Sequence, residues 1–496
     1  MPKQYQNFIN GRHFDAKSGK TFENRNPANW DEVLSTFPLS GKEDVDDAVN
    51  AARKAFETWR LVPAPSRGNI LKKVGDLLTA RKEDLARTMT KEMGKVLLET
   101  RGDVQEGIDT AYYAASEARR LFGHTVPSEL PNKFNMAMRM PIGVAGIITP
   151  WNFPMAIPTW KIFPALVCGN SVVFKPASDT PETAAKLVEI LIETGVPEGV
   201  VNIVHGGGGS VGMAIVDHPS IDLISFTGSS VVGKKISEVA SKTLKRVSLE
   251  LGGKNAQIVM DDARLDLALE GVLWGAFGTT GQRCTATSRL IVHEKVYDKF
   301  LSMLVDHTKK LRLGDGLKET TDVGPLVNQG QVETVEKYVR IGADEGAKIL
   351  TGGKRPDGKE LSKGWFYEPT ILGGVTPSMR VAREEIFGPV LSVIKVRNIT
   401  EAIDVTNGTN YGLSSSVYTQ DLNNAYQAIR DIRAGITYIN APTIGAEAHM
   451  PFGGVKETGN GHREGGWTVY EFFSEWKTVY VDYSGKLQRA QIDTKE

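Results

Sequence analysis

Four short apolar segments, spaced by helical stretches between residues 142 and 241, restrict the fold more than any other feature of the chain. They are residues 143–148, 171–174, 200–204 and 223–226, and each reads as a buried strand. Thr180-Pro181 opens one intervening helix, with Thr as the cap and Pro at the first helical position. This alternation predicts a parallel sheet of the nucleotide-binding kind, whose strand ends and helix starts line a ligand crevice. A strand at 256–260, then a helix and more strands, predicts a second α/β unit. No internal repeat, low-complexity tract or long linker interrupts the chain. Two α/β units in one continuous chain are expected.

A helix is expected after Ser40-Gly-Lys-Glu43, whose spacing matches a capping box, with Val45, Val49, Ala52, Phe56 and Trp59 as its apolar stripe. A second, around residues 100–120, carries Val104, Ile108, Ala111 and Ala115 on one stripe. Residues 476–483 read as a terminal strand without an obvious partner, of the kind that pairs with another subunit or domain.

The 59 Lys+Arg balance the 59 Asp+Glu, which argues against a nucleic-acid surface or a polybasic membrane anchor. No apolar run approaches the roughly 18 residues that span a bilayer. The start, MPKQYQNFINGRHF, lacks the apolar core of a signal peptide. Two cysteines in 496 residues cannot form a disulfide framework, so a cytoplasmic protein is expected. The eight histidines are scattered without ligand spacing, so no metal site is expected.

Two glycine loops half-fit known phosphate cradles. Gly207-Gly-Gly209-Ser-Val-Gly212 satisfies G-x-G-x-x-G between a strand and a helix. The next strand runs into Thr227-Gly228 rather than an acidic residue, so the ordinary dinucleotide pattern is incomplete. Gly228-Ser-Ser-Val-Val-Gly233-Lys234 nearly spells a P-loop, but Lys235 stands where a hydroxyl must bind Mg²⁺. What remains is Ser229 and a helix start, either an anion site or a plain strand-to-helix turn.

Cys168, in Ala165-Leu-Val-Cys-Gly169, reads as a small buried hydrophobe. Cys284 lies among small, polar and cationic neighbours in Gly278-Thr-Thr-Gly-Gln-Arg-Cys284-Thr-Ala-Thr-Ser-Arg289. A free thiol of pKa about 8.5 is only a few per cent thiolate at neutral pH, and Arg283 or a helix start would raise that fraction.

Seven motifs then run in the order found in the aldehyde dehydrogenase superfamily. They are Trp151-Asn-Phe-Pro154, Phe174-Lys-Pro-Ala-Ser178, Phe226-Thr-Gly-Ser229, Leu249-Glu-Leu-Gly-Gly253, Gly281-Gln-Arg-Cys284, Glu384-Glu-Ile-Phe-Gly-Pro389 and Pro451-Phe-Gly-Gly454. Glu250 and Cys284 are 34 residues apart, as in the family, and the resemblance spans essentially the whole chain. It implies an α/β fold with a Rossmann-like NAD(P)-binding domain at 1–122 and 144–252 and an α/β catalytic domain at 253–476. A β-strand oligomerisation arm is implied at 123–143 and 477–496, hence a homodimer or homotetramer. The implied reaction oxidises an aldehyde through a Cys284 thiohemiacetal and thioester. Asn152 and the Cys284 N–H would steady the oxyanion. Glu250, desolvated between Leu249 and Leu251, would be the general base. Glu464 would relay its proton, although His462 is one extra residue in that segment.

For the cofactor, NAD or NADP, the resemblance implies Thr149, Pro150, Trp151 and Gly228 in the site. Lys175 and Ser178 would lie at the adenosine ribose, Ser229 at the pyrophosphate, Val232 under the adenine, and Glu385 with Phe387 at the nicotinamide ribose. Ser178 stands where strict NAD members carry a Glu, so both coenzymes stay open.

Arg283, Gln105-Glu106 and Gly445-Ala-Glu447 resemble antiquitin, the α-aminoadipic semialdehyde type, in which residues matching Glu106 and Arg283 read the amino and carboxylate groups. Trp151 and residues 175–178 are more similar to bacterial α-ketoglutaric semialdehyde dehydrogenases. The implied substrate pocket is Glu106, Trp160, Arg283, Gly445, Ala446 and Phe452, for α-aminoadipic, α-ketoglutaric or succinic semialdehyde or a broader range. On the residues alone, Glu106 lies off the Val104–Ile108 stripe and could face water, and Arg283 could tune the thiol without touching substrate. The joint presence of Asn152, Glu250 and Cys284 argues against a catalytically idle binding homologue.

Overall fold

A computed structural model describes residues 2–494. Two seven-stranded sheets form its frame. The first has the order Arg246–Glu250, Leu223–Thr227, Val144–Ile148, Ser171–Lys175, Val201–Ile203, Asn7–Ile9 and Arg12–Phe14. Its first five strands are parallel and the N-terminal pair is antiparallel. Val144–Ile148 and Ser171–Lys175 are buried at every residue, which is why their sequences lack polar alternation. The chain moves outward from Val144–Ile148 in one direction, then restarts beside it with Leu223–Thr227. Such a reversal opens a crevice at the carboxyl ends of the two neighbouring strands. Residues 149–152 and Gly228-Ser229 follow those ends.

The second sheet has the order Lys348–Thr351, Thr370–Gly373, Val390–Val396, Thr287–His293, Asn255–Val259, Ser414–Tyr418 and Ile436–Ile439, parallel except for its first strand. Only Leu251-Gly-Gly-Lys254 separates the end of the first sheet from Asn255–Val259. The carboxyl end of one sheet therefore meets the amino end of the other at Glu250 and Asn255.

His124–Pro127, Lys133–Pro141 and Ser474–Asp482 form a separate antiparallel sheet. The terminal strand thus finds a partner within its own chain and starts at Ser474, earlier than expected. Residues 484–494 form no strand.

Two local expectations shift. The first helix is Lys42–Trp59, capped by Gly41 with the Asp44 carboxylate accepting from the Gly41 N–H at 2.9 Å, so the capping box lies one residue later than Ser40 suggested. Pro181–Glu193 does begin at Pro181, but the Thr180 hydroxyl makes no cap bond. The buried Glu92 carboxylate accepts instead from the N–H groups of Glu182 and Thr183, at 2.9 and 2.8 Å. A distant side chain supplies what a local one was expected to. Helix Ala156–Cys168 is buried at every position, and its one charged residue, Lys161, is ion-paired with Glu464, as burial of a cation demands. Among the described residues no helix is long and apolar enough to cross a membrane.

Candidate active site

Cys284 lies between helix Leu265–Phe277 and strand Thr287–His293. The chain reaches it through Thr279, Thr280 and Gly281, with φ of +54°, +58° and +68°. Left-handed backbone is costly for β-branched residues, so the turn needs anchors. The Thr280 hydroxyl donates to the Gly324 carbonyl at 2.9 Å, and the Thr279 N–H to the Glu99 carboxylate at 2.7 Å. Gly281 admits no side chain, since a Cβ would lie 2.2 Å from the Gly388 carbonyl oxygen. Beyond the turn, the Asn255 amide donates to the carbonyls of Cys284 and Ala286 at 2.8 and 2.9 Å. The sulfur is fixed where the two sheets meet.

Two cavities share that sulfur. One is walled by Pro150, Trp151, Asn152, Gly228, Ser229, Gly252, Gln331, Glu385 and Phe387. The other is walled by Glu106, Phe153, Trp160, Glu250, Arg283, Ile444, Gly445, Ala446, Phe452 and Glu464. Ile157, Thr227, Leu251 and Cys284 belong to both. Trp160 packs on Phe452 with ring centroids 4.8 Å apart, forming an aromatic wall beside the sulfur.

The buried Asn152 amide donates to the Gln282 carbonyl at 3.1 Å, and its second N–H is left over. Glu250 is buried with neither carboxylate oxygen hydrogen-bonded. Burial, reinforced by Glu464, holds its pKa well above the usual carboxylate range, with Lys161 and Arg463 pulling the other way. Lys161 joins Glu464 to the Ser225 hydroxyl, the latter at 2.9 Å. The Cys284 thiol is pushed up to about 12 by burial and by the charges of Glu385 and Glu250, while the Thr285 N–H opposes them.

That corrects one expectation. Arg283 does not activate the thiol: its guanidinium is taken by the Glu99 carboxylate at 3.2 Å and the Thr279 hydroxyl at 2.8 Å. Glu106 is only partly exposed and lines the second cavity. Its Oε1 is buried without a partner, and burial with the neighbouring Asp103 raises its pKa to about 8 against the pull of Arg283 and Lys95.

The first cavity has donors suited to a dinucleotide. Helix Ser230–Ser241 starts at its edge, with the Ser229 hydroxyl accepting from the Val232 N–H at 3.4 Å, so unpaired first-turn N–H groups are available to an anion. A Cβ on Gly228 would meet the Phe226 ring at 2.4 Å. The Gln331 amide donates to the Ile386 and Phe387 carbonyls at 2.9 and 2.8 Å and holds Phe387 at φ +58°. Trp151 meets that Phe387 ring edge-on at 5.4 Å. Glu385 accepts from the Gly253 N–H at 3.0 Å, and burial lifts its pKa to about 7. A Cβ on Gly252 would lie 2.1 Å from that carboxylate. Thr149, Lys175, Ser178 and Val232 stand outside the walls of this cavity. Lys175 donates to the Pro176 carbonyl at 2.7 Å, Ser178 to the Gly206 carbonyl at 3.1 Å, and Val232 is exposed.

The model of the aldehyde dehydrogenase family matches residues 13–479. The chain belongs to the aldehyde dehydrogenase family. It is an NAD(P)-dependent aldehyde dehydrogenase, an oxidoreductase with the α/β fold of that family. The dehydrogenase is 42% identical to the α-ketoglutaric semialdehyde dehydrogenase of Bacillus subtilis (strain 168) over 477 residues, covering 96% of this chain and 98% of that protein. It is 43% identical to aldehyde dehydrogenase 1A1 of Rattus norvegicus over 484 residues, covering 97% and 95%. The crystal structure of Staphylococcus aureus betaine aldehyde dehydrogenase in complex with NAD+ superposes with a TM-score of 0.95 at 36% identity, covering 97% of this chain and 96% of that one. Near-equal identity to two differently named relatives, 42% and 43%, leaves the aldehyde to be argued from the pocket.

The structure brings Cys284, Glu250, Asn152 and Glu464 together with Glu106, Trp160, Arg283, Gly445, Ala446 and Phe452. Sequence reasoning missed Glu99, Phe153, Lys161, Thr227 and Gln331. Lys161 could have been found, as the one cation in the apolar stretch 156–168. Glu99 and Gln331 act on main-chain groups far along the chain, and no local pattern marks them.

Proposed function

We propose that this dehydrogenase oxidises a short aldehyde bearing a distal carboxylate, α-ketoglutaric semialdehyde foremost, to the acid. The observation that carries it is an arginine, Arg283, in the wall of the cavity that ends at Cys284. A guanidinium pairs with a carboxylate through two parallel hydrogen bonds, and Arg283 keeps donors beyond those taken by Glu99 and Thr279. Glu106 lies in the same wall with Oε1 unpartnered. Burial raises its pKa to about 8, so its protonated form can donate to a 2-keto oxygen. The α-ketoglutaric semialdehyde dehydrogenase named above is consistent with this choice.

In this proposal the Cys284 thiol attacks the aldehyde carbon as Glu250 takes its proton. The free N–H of Asn152 and the Cys284 main-chain N–H steady the oxyanion. A bound nicotinamide ring supplies the hydride acceptor, leaving a thioester on Cys284. Glu250, once it has given up the thiol proton, takes one from the water that attacks the thioester and returns it to the departing Cys284 sulfur, so acid and thiol are freed and one proton leaves the site. The Glu464, Lys161 and Ser225 chain is the route by which that proton leaves. Ser229 and the helix start hold the pyrophosphate, Glu385 and Phe387 the nicotinamide ribose, and Lys175 with Ser178 the adenosine ribose, where a serine admits either coenzyme. Residues 1–122 and 144–252 form the cofactor domain and 253–476 the catalytic domain. Exposed Phe134, Met138, Trp476 and Val481 on the arm sheet suit a homo-oligomer, and the two free thiols suit the cytoplasm.

Arg283→Ala should lower kcat/KM for succinic and α-ketoglutaric semialdehyde by about 30-fold or more while changing hexanal by about twofold at most. Equal losses on all three aldehydes would contradict the proposed substrate class. Glu464→Gln removes a like charge beside Glu250 and leaves Lys161 unopposed. Glu250 then ionises more easily, so the acidic limb of the kcat profile should move to lower pH. A move to higher pH would show that Glu464 does not act on the base.

A further inference from the structure

We infer that Glu99 is a positioning residue that aims Arg283 at the distal group of the substrate and ties that aim to the turn carrying Cys284. The inference rests on the carboxylate reading of Arg283 given above. One oxygen of Glu99, Oε1, accepts both from the Thr279 N–H at 2.7 Å and from Arg283 Nη2 at 3.2 Å. Arg283 Nε donates to the Thr279 hydroxyl at 2.8 Å. The guanidinium carbon lies 5.0 Å from the Trp274 ring centroid and 5.5 Å from that of Phe153, so aromatic rings confine what the polar contacts align. The Glu99 and Arg283 side chains are 3% and 12% exposed, so this is an interior contact and not a screened surface pair. Gly278 makes room for it, because a Cβ there would stand 3.1 Å from Glu99 Oε1.

With Nε and one hydrogen of Nη2 engaged, both hydrogens of Nη1 and the second of Nη2 are left for a ligand. Glu99 and Glu106 lie two turns apart on helix Leu97–Glu117, a spacing that brings both to one face. The helix therefore sets the direction of the cation and supplies the second polar group beside it. Arginine is a long side chain that otherwise loses rotamer freedom when it binds a ligand. Holding it beforehand removes that cost from substrate binding.

The test compares Glu99→Ala and Glu99→Asp with Arg283→Ala, reading KM for succinic semialdehyde and for hexanal at saturating coenzyme. The ratio of the two KM values should rise about tenfold in Glu99→Ala, whatever change in kcat a slackened turn brings to both substrates. Glu99→Asp keeps the charge but withdraws it by one methylene, and the ratio should rise about threefold. If the alanine variant does not fold, the aspartate variant carries the test alone. A ratio that stays unchanged or falls in the folded variants overturns the inference. If Arg283→Ala itself treats the two aldehydes alike, the substrate class is wrong. If Arg283→Ala separates them and the Glu99 variants do not, only the role of Glu99 falls.

Discussion

Cys284→Ala should lower aldehyde oxidation by at least about 10⁴-fold in kcat/KM, with coenzyme binding retained. The size of the effect follows from the absence of a substitute. Cys168 is buried in helix Ala156–Cys168 and lines neither of the two cavities that meet at Cys284. Serine at 284 should do little better, because Glu250 would have to deprotonate a far weaker acid. Rates followed by the absorbance of reduced nicotinamide, with coenzyme titrated by fluorescence, check both halves. A variant that keeps a tenth of the activity would remove the nucleophile from the mechanism.

Asn152→Ala should lower kcat by about 10²–10³-fold, equivalent to roughly 3–4 kcal/mol, with KM changed much less. The amide is buried, and its contact with the Gln282 carbonyl fixes which hydrogen remains for the oxyanion. That oxygen carries full charge only after attack, so the donor is worth most in the transition state and little in the bound aldehyde. Asn152→Asp keeps the shape but exchanges the donor for a charge, and it should fall at least as far. A KM effect larger than the kcat effect would mean that Asn152 binds the aldehyde rather than the oxyanion.

The parallel strands and the crevice at their reversal were legible because buried segments such as 144–148 and 171–175 have no polar face to show. The residues that meet around Cys284 were legible through motifs in which the residue type is itself suited to the chemistry. Contacts across the fold were not. Glu92 replaces Thr180 as the acceptor at a helix start from 90 residues away, and Glu99 redirects Arg283 from 184 residues away. The error over thiol activation has the same origin. Adjacency in sequence placed a cation next to Cys284, whereas the left-handed turn and Glu99 draw that cation toward the substrate wall and leave the sulfur among carboxylates. Glu106 was misjudged as a possible solvent-facing residue because the wall it joins is built from segments around 153, 283 and 445.

The shortest route to the central claim is to stop the reaction at its covalent stage. Glu250→Gln removes the base for hydrolysis but leaves sulfur, amide and coenzyme groove in place. After the variant is incubated at alkaline pH with coenzyme and succinic semialdehyde and then quenched in acid, mass spectrometry should find the succinyl group on the peptide holding Cys284 and none on the peptide holding Cys168. A fully turned-over substrate with no modified peptide, or an acyl group on any other residue, would contradict the account.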